Sequence, residues 1–224
     1  MWIMKQTWRH VLFLHWEVDA QELQKHIPFE LDLFEGKAVL SIVPFRMEGI
    51  RFPLTPSIPF ISSLWELNLR TYVRVGGKPG VYFITLDTDS FLAEMIAKKF
   101  FHLPYAQARI RASVSEKEYA FSSQRKEISL ELRARLSGEA KAKSKRDLWA
   151  TERYCLFTQS KGKIFEGEVH HAPWRFESVE LLSLEDQFSR LVPGLELKTP
   201  IDSSYCRELK VQFSPFRLVG RDRL

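Results

Sequence analysis

Nine residues, Trp65-Glu66-Leu67-Asn68-Leu69-Arg70-Thr71-Tyr72-Val73, constrain this chain more than any other stretch. Leu67, Leu69, Thr71 and Val73 fall on one parity and Glu66, Asn68, Arg70 and Tyr72 on the other. That is the period-2 signature of a strand whose two faces meet different surroundings. A solvated face usually carries Lys, Thr, Ser and Glu. An acid, an amide, a guanidinium and a phenol in one row fit either water beside a half-exposed sheet or the wall of a cavity inside a curved one.

The rest of the pattern is mostly β. Residues 11–16 read as a first strand; Asp19, with Glu22 three residues on, starts a short helix over 20–26 that Pro28 ends. Residues 31–34 and 38–45 form a hairpin about Glu35-Gly36-Lys37, and the nearly continuous apolar run of its second arm predicts a central, buried strand. Gly76-Gly77-Lys78-Pro79-Gly80 turns the organising strand back into 81–87. Three more antiparallel strands fit 106–114, 119–124 and 128–136, a hairpin about Lys161-Gly162 joins 153–159 to 163–170, and 209–213 is a last apolar segment. Phe91, Leu92, Met95 and Ile96 recur at helical spacing behind capping candidates Asp87, Asp89 and Ser90, and that helix ends around 101–103, before Pro104. Residues 183–192 read as a final short helix stopped by Pro193-Gly194. The fold class is α+β, β-rich, with about three short helices. Between Gly49 and Ser63, Pro53, Pro56 and Pro59 alternate with Phe52, Ile58, Phe60 and Ile61, a packed crossover loop or a lid over the polar row.

Composition narrows the function classes. At 45% hydrophobic and 27% charged, with seventeen Phe and six Trp, the 224 residues support one domain over 1–224 with a large core or an aromatic-lined pocket. The net charge of +5 is basic, but Lys and Arg are interleaved with acids and no nucleic-acid motif accompanies them, so no nucleic-acid partner is expected. Lys141, Lys143, Lys145 and Arg146 read as a solvated loop. Cys155 and Cys206 each stand alone, the pattern of reduced, buried thiols. The first fifteen residues are broken by Lys5, Arg9 and His10, and no run of about 18 apolar residues occurs, so the expectation is a cytoplasmic protein without a membrane partner. His170 and His171, adjacent on a strand, point to opposite faces and cannot share a metal ion; no metal and no cofactor is expected. Neither a Gly-rich phosphate loop nor a nucleophile elbow is present in the sequence.

A set of short motifs, in order, is His15-Trp16, Val43-Pro44-Phe45-Arg46-Met47, the run Glu66 to Val73, Gly80-Val81-Tyr82-Phe83, Leu103-Pro104-Tyr105, Thr151-Glu152-Arg153-Tyr154 and His171-Ala172-Pro173-Trp174. Together they resemble the YqjF-like family of uncharacterised bacterial proteins over nearly the whole chain. The resemblance implies a fold similar to acetoacetate decarboxylase, a curved antiparallel sheet closing toward a cone or barrel around a cavity. Glu66, Asn68, Arg70 and Tyr72 would then face inward as ligand-binding candidates, with Tyr82 and Glu152 beside them. Those decarboxylases carry an adjacent lysine pair, the first forming a Schiff base with the keto substrate. Lys98-Lys99 followed by Pro104 resembles that pattern, although the Tyr-Pro that precedes the pair in the decarboxylases is missing here. The likeness selects Lys98, whereas a helical wheel turns Lys99 into the apolar arc; the plainer role for both is to offset the helix C-terminal dipole. An amine attacks a ketone only when neutral, so burial or a neighbouring cation has to lower its pKa.

The functional expectation is therefore a barrel that binds a small carboxylate or keto acid. Arg70 would pair with the carboxylate unless Glu66 or Glu152 neutralises it, and any reaction would be decarboxylase-like carbonyl chemistry through Lys98 or Lys99. The rival is a structural or protein-interaction module, with an oligomer open to it, in which the polar row is an internal ion-pair network and the aromatic loop from Phe52 to Phe60 is a partner surface. Under the rival, no cavity of about 300 Å³ or more lies against the row.

Overall fold

The computed structural model describes residues 2–53 and 63–221. In chain order the elements are β1 (Met4–Val18), α1 (Ala20–Gln24), β2 (Glu30–Leu31), β3 (Ala38–Arg51), β4 (Ser63–Val75) and β5 (Lys78–Thr88). Then come α2 (Phe91–Ile96), continuing into a π-helical turn (Ala97–Phe101), β6 (Tyr105–Gln107), β7 (Arg109–Val114), β8 (Glu118–Arg125) and β9 (Ile128–Ala140). The chain ends with α3 (Lys145–Thr151), β10 (Cys155–Ser160), β11 (Lys163–His171), β12 (Glu177–Asp186), a 3-10 turn (Phe188–Leu191), β13 (Asp202–Phe213) and β14 (Arg217–Arg221). Of the stretch Gly49 to Ser63, which the sequence offers as a lid or, from Phe52 to Phe60, as a partner surface, residues 54–62 lie outside the described residues, while Gly49 to Arg51 end β3 and Ser63 begins β4.

Seven strands, in the order β11-β10-β5-β4-β3-β1-β13, form a ring that closes where Val169, His170 and His171 of β11 pair with Phe213, Gln212 and Val211 of β13. From β13 the sheet continues through β12, β9, β8 and β7, which fold back as a second layer over the outside of the ring. The sheet is mixed: β10 and β6 each pair with β5 in parallel, where the sequence implied antiparallel strands throughout.

This arrangement explains why β1 and β3 are apolar in near-continuous runs. Leu12 and Leu14 of β1, Leu40 and Ile42 of β3, and Leu67 and Leu69 of β4 pack against Phe121, Leu130 and Leu132 of the second layer. Val11 and Phe13, Val43 and Phe45, on the opposite parity, fill the ring interior. Strands buried on both faces lose the alternation of a half-solvated sheet. Pro44 interrupts one ladder of β3 at no cost in lost bonds, because β1 bulges opposite it, with His10 at φ 54°.

Two local readings are overturned by tertiary pairing. Residues 183–192 are not a helix: Ser183, Leu184 and Glu185 pair with Arg133, Leu132 and Glu131 of β9, and the Asp186 side chain caps only a single 3-10 turn. The basic stretch from Lys141 to Arg146 is not a solvated loop. Ser144 and Asp147 form a capping box that starts α3, and Lys141 reaches Asp202 at 2.7 Å and Ser204 at 2.6 Å. Lys143 pairs with Glu152 and Arg146 with Glu17. These acids come from distant or downstream segments, which local charge patterning cannot reveal.

The seam between β5 and β10 depends on one missing side chain. A Cβ on Gly80 would stand 2.6 Å from the Phe157 ring and 2.8 Å from Cys155 Sγ. Gly80→Ala is therefore expected to lower unfolding free energy by about 1–3 kcal/mol through overpacking, read as a drop in the urea midpoint; an unchanged midpoint would show that the seam can relax.

Candidate functional site

The ring encloses a cavity of about 150 Å³. Alternation on β4 sends Leu64, Glu66, Asn68 and Arg70 to its wall and Leu67, Leu69 and Val73 to the second layer. Arg70 is 9% exposed and Glu66 and Asn68 are each 3% exposed, so this row does not face bulk water.

Arg70 has no hydrogen-bond or ion-pair partner among the described residues, and its Nε is buried without an acceptor. Its guanidinium lies over the rings of Phe13, at 5.0 Å, and Tyr72, at 5.7 Å. Cation–π contacts contribute roughly 0.5–2 kcal/mol each, whereas removing a charge from water costs several kcal/mol, so the rings offset part of the penalty and not all of it. The two acids expected to neutralise Arg70 are engaged elsewhere. Glu66 accepts from the Tyr105 hydroxyl and from Asn68, and Glu152 accepts from Lys143 and Tyr154 at the end of α3. Arg153 makes the contrast plain. It lines the same cavity, but Asp32 takes its charge at 2.6 Å while also holding Arg74 at 2.8 Å.

Burial pushes the Glu66 carboxyl up to about 7, against the pull of its hydrogen bonds from Tyr105 and Asn68, and the nearby Asp87 adds to the rise. The carboxyl thus changes protonation near neutrality. Burial and the Glu66 charge drive the Tyr105 phenol well above its usual value, so it stays a donor. Asn68 leaves its Oδ1 unpartnered by protein, and Gln6 Oε1 and Trp8 Nε1 of β1 are in the same condition on the same cavity. Buried polar groups are paired in the great majority of cases, so unpaired donors and acceptors converging on one cavity mark a polar binding site.

Beneath Arg70 the inner end is closed. His15 Nδ1 bonds Ser41 Oγ at 2.7 Å, and Ser41 bonds the Tyr72 hydroxyl at 2.9 Å. Burial and then the Arg70 charge bring His15 down to about 3, which keeps it neutral. Tyr72 belongs to this floor, packed on Trp149 at 4.7 Å, and does not line the cavity.

Residues 5–210 match a family described as "uncharacterized conserved protein", DUF2071. The chain belongs to that family. YqjF of Bacillus subtilis (strain 168), itself described as uncharacterized, is 39% identical over 194 residues, covering 80% of this chain and 77% of that protein. Among solved structures, acetoacetate decarboxylase from Legionella pneumophila superposes with a TM-score of 0.71 at 14% identity, over 98% of this chain and 88% of the other. The enduracididine biosynthesis enzyme MppR complexed with pyruvate gives 0.68 at 12% identity, over 99% and 92%. At these identities the likeness is one of fold.

Within that fold, several residues singled out from the sequence stand away from the cavity. Lys98 is 52% exposed on its side chain and pairs with Glu94 at 2.7 Å, and Lys99 is exposed too. α2 turns its small face, Ala93, Ile96 and Ala97, to the cavity and leaves Phe91, Leu92 and Met95 exposed. The wheel assumed that the largest apolar residues face inward at 3.6 residues per turn; the π turn from Ala97 changes the phase as well. Among the described residues no lysine lines the cavity. Tyr82 lies on the parity opposite Val81 and Phe83, its ring against Phe29 at 5.5 Å in the other core. His171 lines the cavity while His170 is exposed and bonded to Ser214, the opposite facing that adjacent strand residues dictate. Among the described residues no group of three or more His, Cys, Asp or Glu could hold a metal ion, and no helix is long and apolar enough to cross a membrane. Cys155 and Cys206 are buried and free.

Gln6, Trp8, Tyr105, Arg153 and His171 are site residues that the sequence reading did not select. Gln6 and Trp8 share parity with Met4 in a strand that was started at residue 11, and Tyr105 arrives through the parallel pairing of β6 with Leu86 of β5.

A carboxyl with a pKa of about 7 when folded and 4.5 when free binds its proton more tightly in the folded chain. Its effect on stability is nil below about pH 4.5, becomes unfavourable as pH rises to 7, and is constant above. Glu66→Gln should thus gain up to about 3 kcal/mol relative to the parent protein between pH 4.5 and 8, measured by urea unfolding at both pH values. A difference independent of pH would remove the near-neutral carboxyl.

Proposed function

We propose that the ring binds a small keto acid, with its carboxylate on Arg70 and its carbonyl toward Glu66 and Tyr105. The observation that carries this reading is the buried guanidinium to which no described residue brings an anion. A planar donor fork matched to a carboxylate is the arrangement by which arginine recognises such ligands, and pairing it would relieve the desolvation that Arg70 otherwise bears. Trp8 Nε1 offers a further donor, and Asn68 and Gln6 offer acceptors, along the same wall. A volume of about 150 Å³ is below the roughly 300–1,000 Å³ of sites for drug-sized ligands, which favours a molecule of few heavy atoms. The structural relatives add the chemical class, one named as acetoacetate decarboxylase and one as a complex with pyruvate.

If the bound acid reacts, Glu66 is the group suited to give or take a proton at its carbonyl, because a carboxyl titrating near 7 holds both forms at neutral pH. A Schiff base would need an amine in the cavity, and Lys98 and Lys99 are on the outside. The rival, a structural or protein-interaction module, expects no cavity of about 300 Å³ or more against the row, and a volume of about 150 Å³ meets that expectation. What counts against its ion-pair network is that the neighbouring acids are committed to partners other than Arg70.

Arg70→Met tests the proposal by thermal unfolding. The variant should be more stable than the parent without ligand, by about 1–4 kcal/mol, since an uncompensated buried charge is replaced by an apolar chain. Pyruvate and acetoacetate should raise the melting temperature of the parent and leave that of the variant unmoved, whereas acetone should affect neither. Equal responses in both proteins would end the carboxylate reading.

A further inference from the structure

The register of the ring gives the cavity two unlike ends. Ser41 pairs with both His15 and Arg70, so Arg70 belongs to the closed end, next to the floor. At the other end Lys5 pairs with Arg51 and Met47 with Leu64, so Met4, Ile50 and Leu64 line the opposite rim. Arg70 lies six positions after Leu64 on β4, roughly 20 Å of strand at about 3.3 Å per residue.

Beyond this rim the lining side chains are all apolar. A cleft lined by Ile3, Phe52, Ile96, Phe101, Pro215 and Phe216 adjoins the cavity, and Phe52, Ile96, Phe101 and Phe216 line both. The aromatic side of the cleft is held in place: the Phe216 ring stands over Gly167, where a Cβ would come within 2.6 Å of it, and meets the Phe101 ring at 5.3 Å. A keto acid as short as pyruvate, seated on Arg70, would leave this apolar mouth unused. An apolar chain on the far side of its carbonyl would run along the wall and into the cleft, removing apolar surface of both partners from water.

We infer that the preferred ligand is a monocarboxylic oxo acid with an unbranched apolar tail of medium length, its carboxylate on Arg70 and its tail leaving through the mouth formed by Ile96, Phe101 and Phe216. This rests on the keto-acid reading and deepens it: the floor selects the head group, and the continuity of cavity and cleft selects the tail. A second charge on a tail long enough to reach the cleft would be stranded there, so long-chain dicarboxylic analogues should be rejected.

The test is isothermal calorimetry of the full chain with the unbranched 2-oxo acids from pyruvate to 2-oxodecanoate, together with 2-oxodecanedioate. Affinity should rise about three- to fourfold for each methylene that enters the mouth and then level off, and 2-oxodecanedioate should bind more weakly than 2-oxodecanoate. Phe216→Ala, and independently Ile3→Ser should the first variant fold poorly, should flatten the dependence on chain length while pyruvate binding is retained. Arg70→Met should lose the whole series. Pyruvate binding that depends on Arg70 without any gain from longer chains would overturn the tail inference and leave the carboxylate reading standing. Gains that persist in the mouth variants would also overturn it, and failure of every acid to bind the parent protein would overturn both.

Discussion

Burial of β4 on both faces is the constraint from which the rest of the structure follows. Leu67 and Leu69 need an apolar layer outside the ring, and Glu66, Asn68 and Arg70 need an enclosed polar one within it. A single open sheet cannot provide both. Closing seven strands through the pairing of β11 with β13 creates the interior, and folding β12, β9, β8 and β7 back over the ring creates the outer core. Within the ring the pairing of β11 with β13 leaves no open edge, and β14 and β7 remain as the ends of the whole sheet.

Electrostatics then divide the interior by depth. Near the floor, Arg153 is matched by Asp32, and His15 is held neutral by burial and by the Arg70 charge. Higher up, Glu66 lies where desolvation outweighs its two hydrogen bonds, so it keeps its proton up to about neutral pH. Arg70 stands between these levels with aromatic faces beside it and no counter-ion among the described residues. A chain selected only for stability would carry an apolar residue at that position, since burying a lone charge costs more than the neighbouring rings return. Strain of this kind is what a preorganised anion site requires.

The floor is held by a polar cluster of a different kind. Lys141 joins Asp202 and Ser204, and Ser204 donates to Asp147, the capping residue of α3. Burial pushes the Asp147 carboxyl up, but hydrogen bonds from Ser144 and Ser204 and the Lys141 charge together hold it below the usual range. α3 is thereby fixed against the ring, with Trp149 on Tyr72 and Ala150 and Thr151 on the cavity wall. Every charge in this cluster has a partner, unlike the charge on Arg70.

Local sequence settled what depends on neighbours a few residues away. The alternation from Glu66 to Val73 placed Glu66, Asn68 and Arg70 on one face, Asp19 capped α1, the Lys161-Gly162 turn closed its hairpin, and His170 and His171 separated to opposite sides. The motif resemblance reached the family and the class of fold. Tertiary structure decided the matters that hinge on partners far along the chain. Pairing with β9 made a strand of a helix-like segment, Asp202 and Glu17 turned a basic loop into ion pairs, and the small face of α2 packed inward so that Lys98 and Lys99 faced out. Tyr72 and Tyr82 show the same limit, since parity assigns a face but not how far along that face the cavity extends. The physical reason is range: backbone periodicity and capping act over one to four residues, whereas the counter-ion of a buried charge and the depth of a cavity are fixed by groups brought together only when the ring closes.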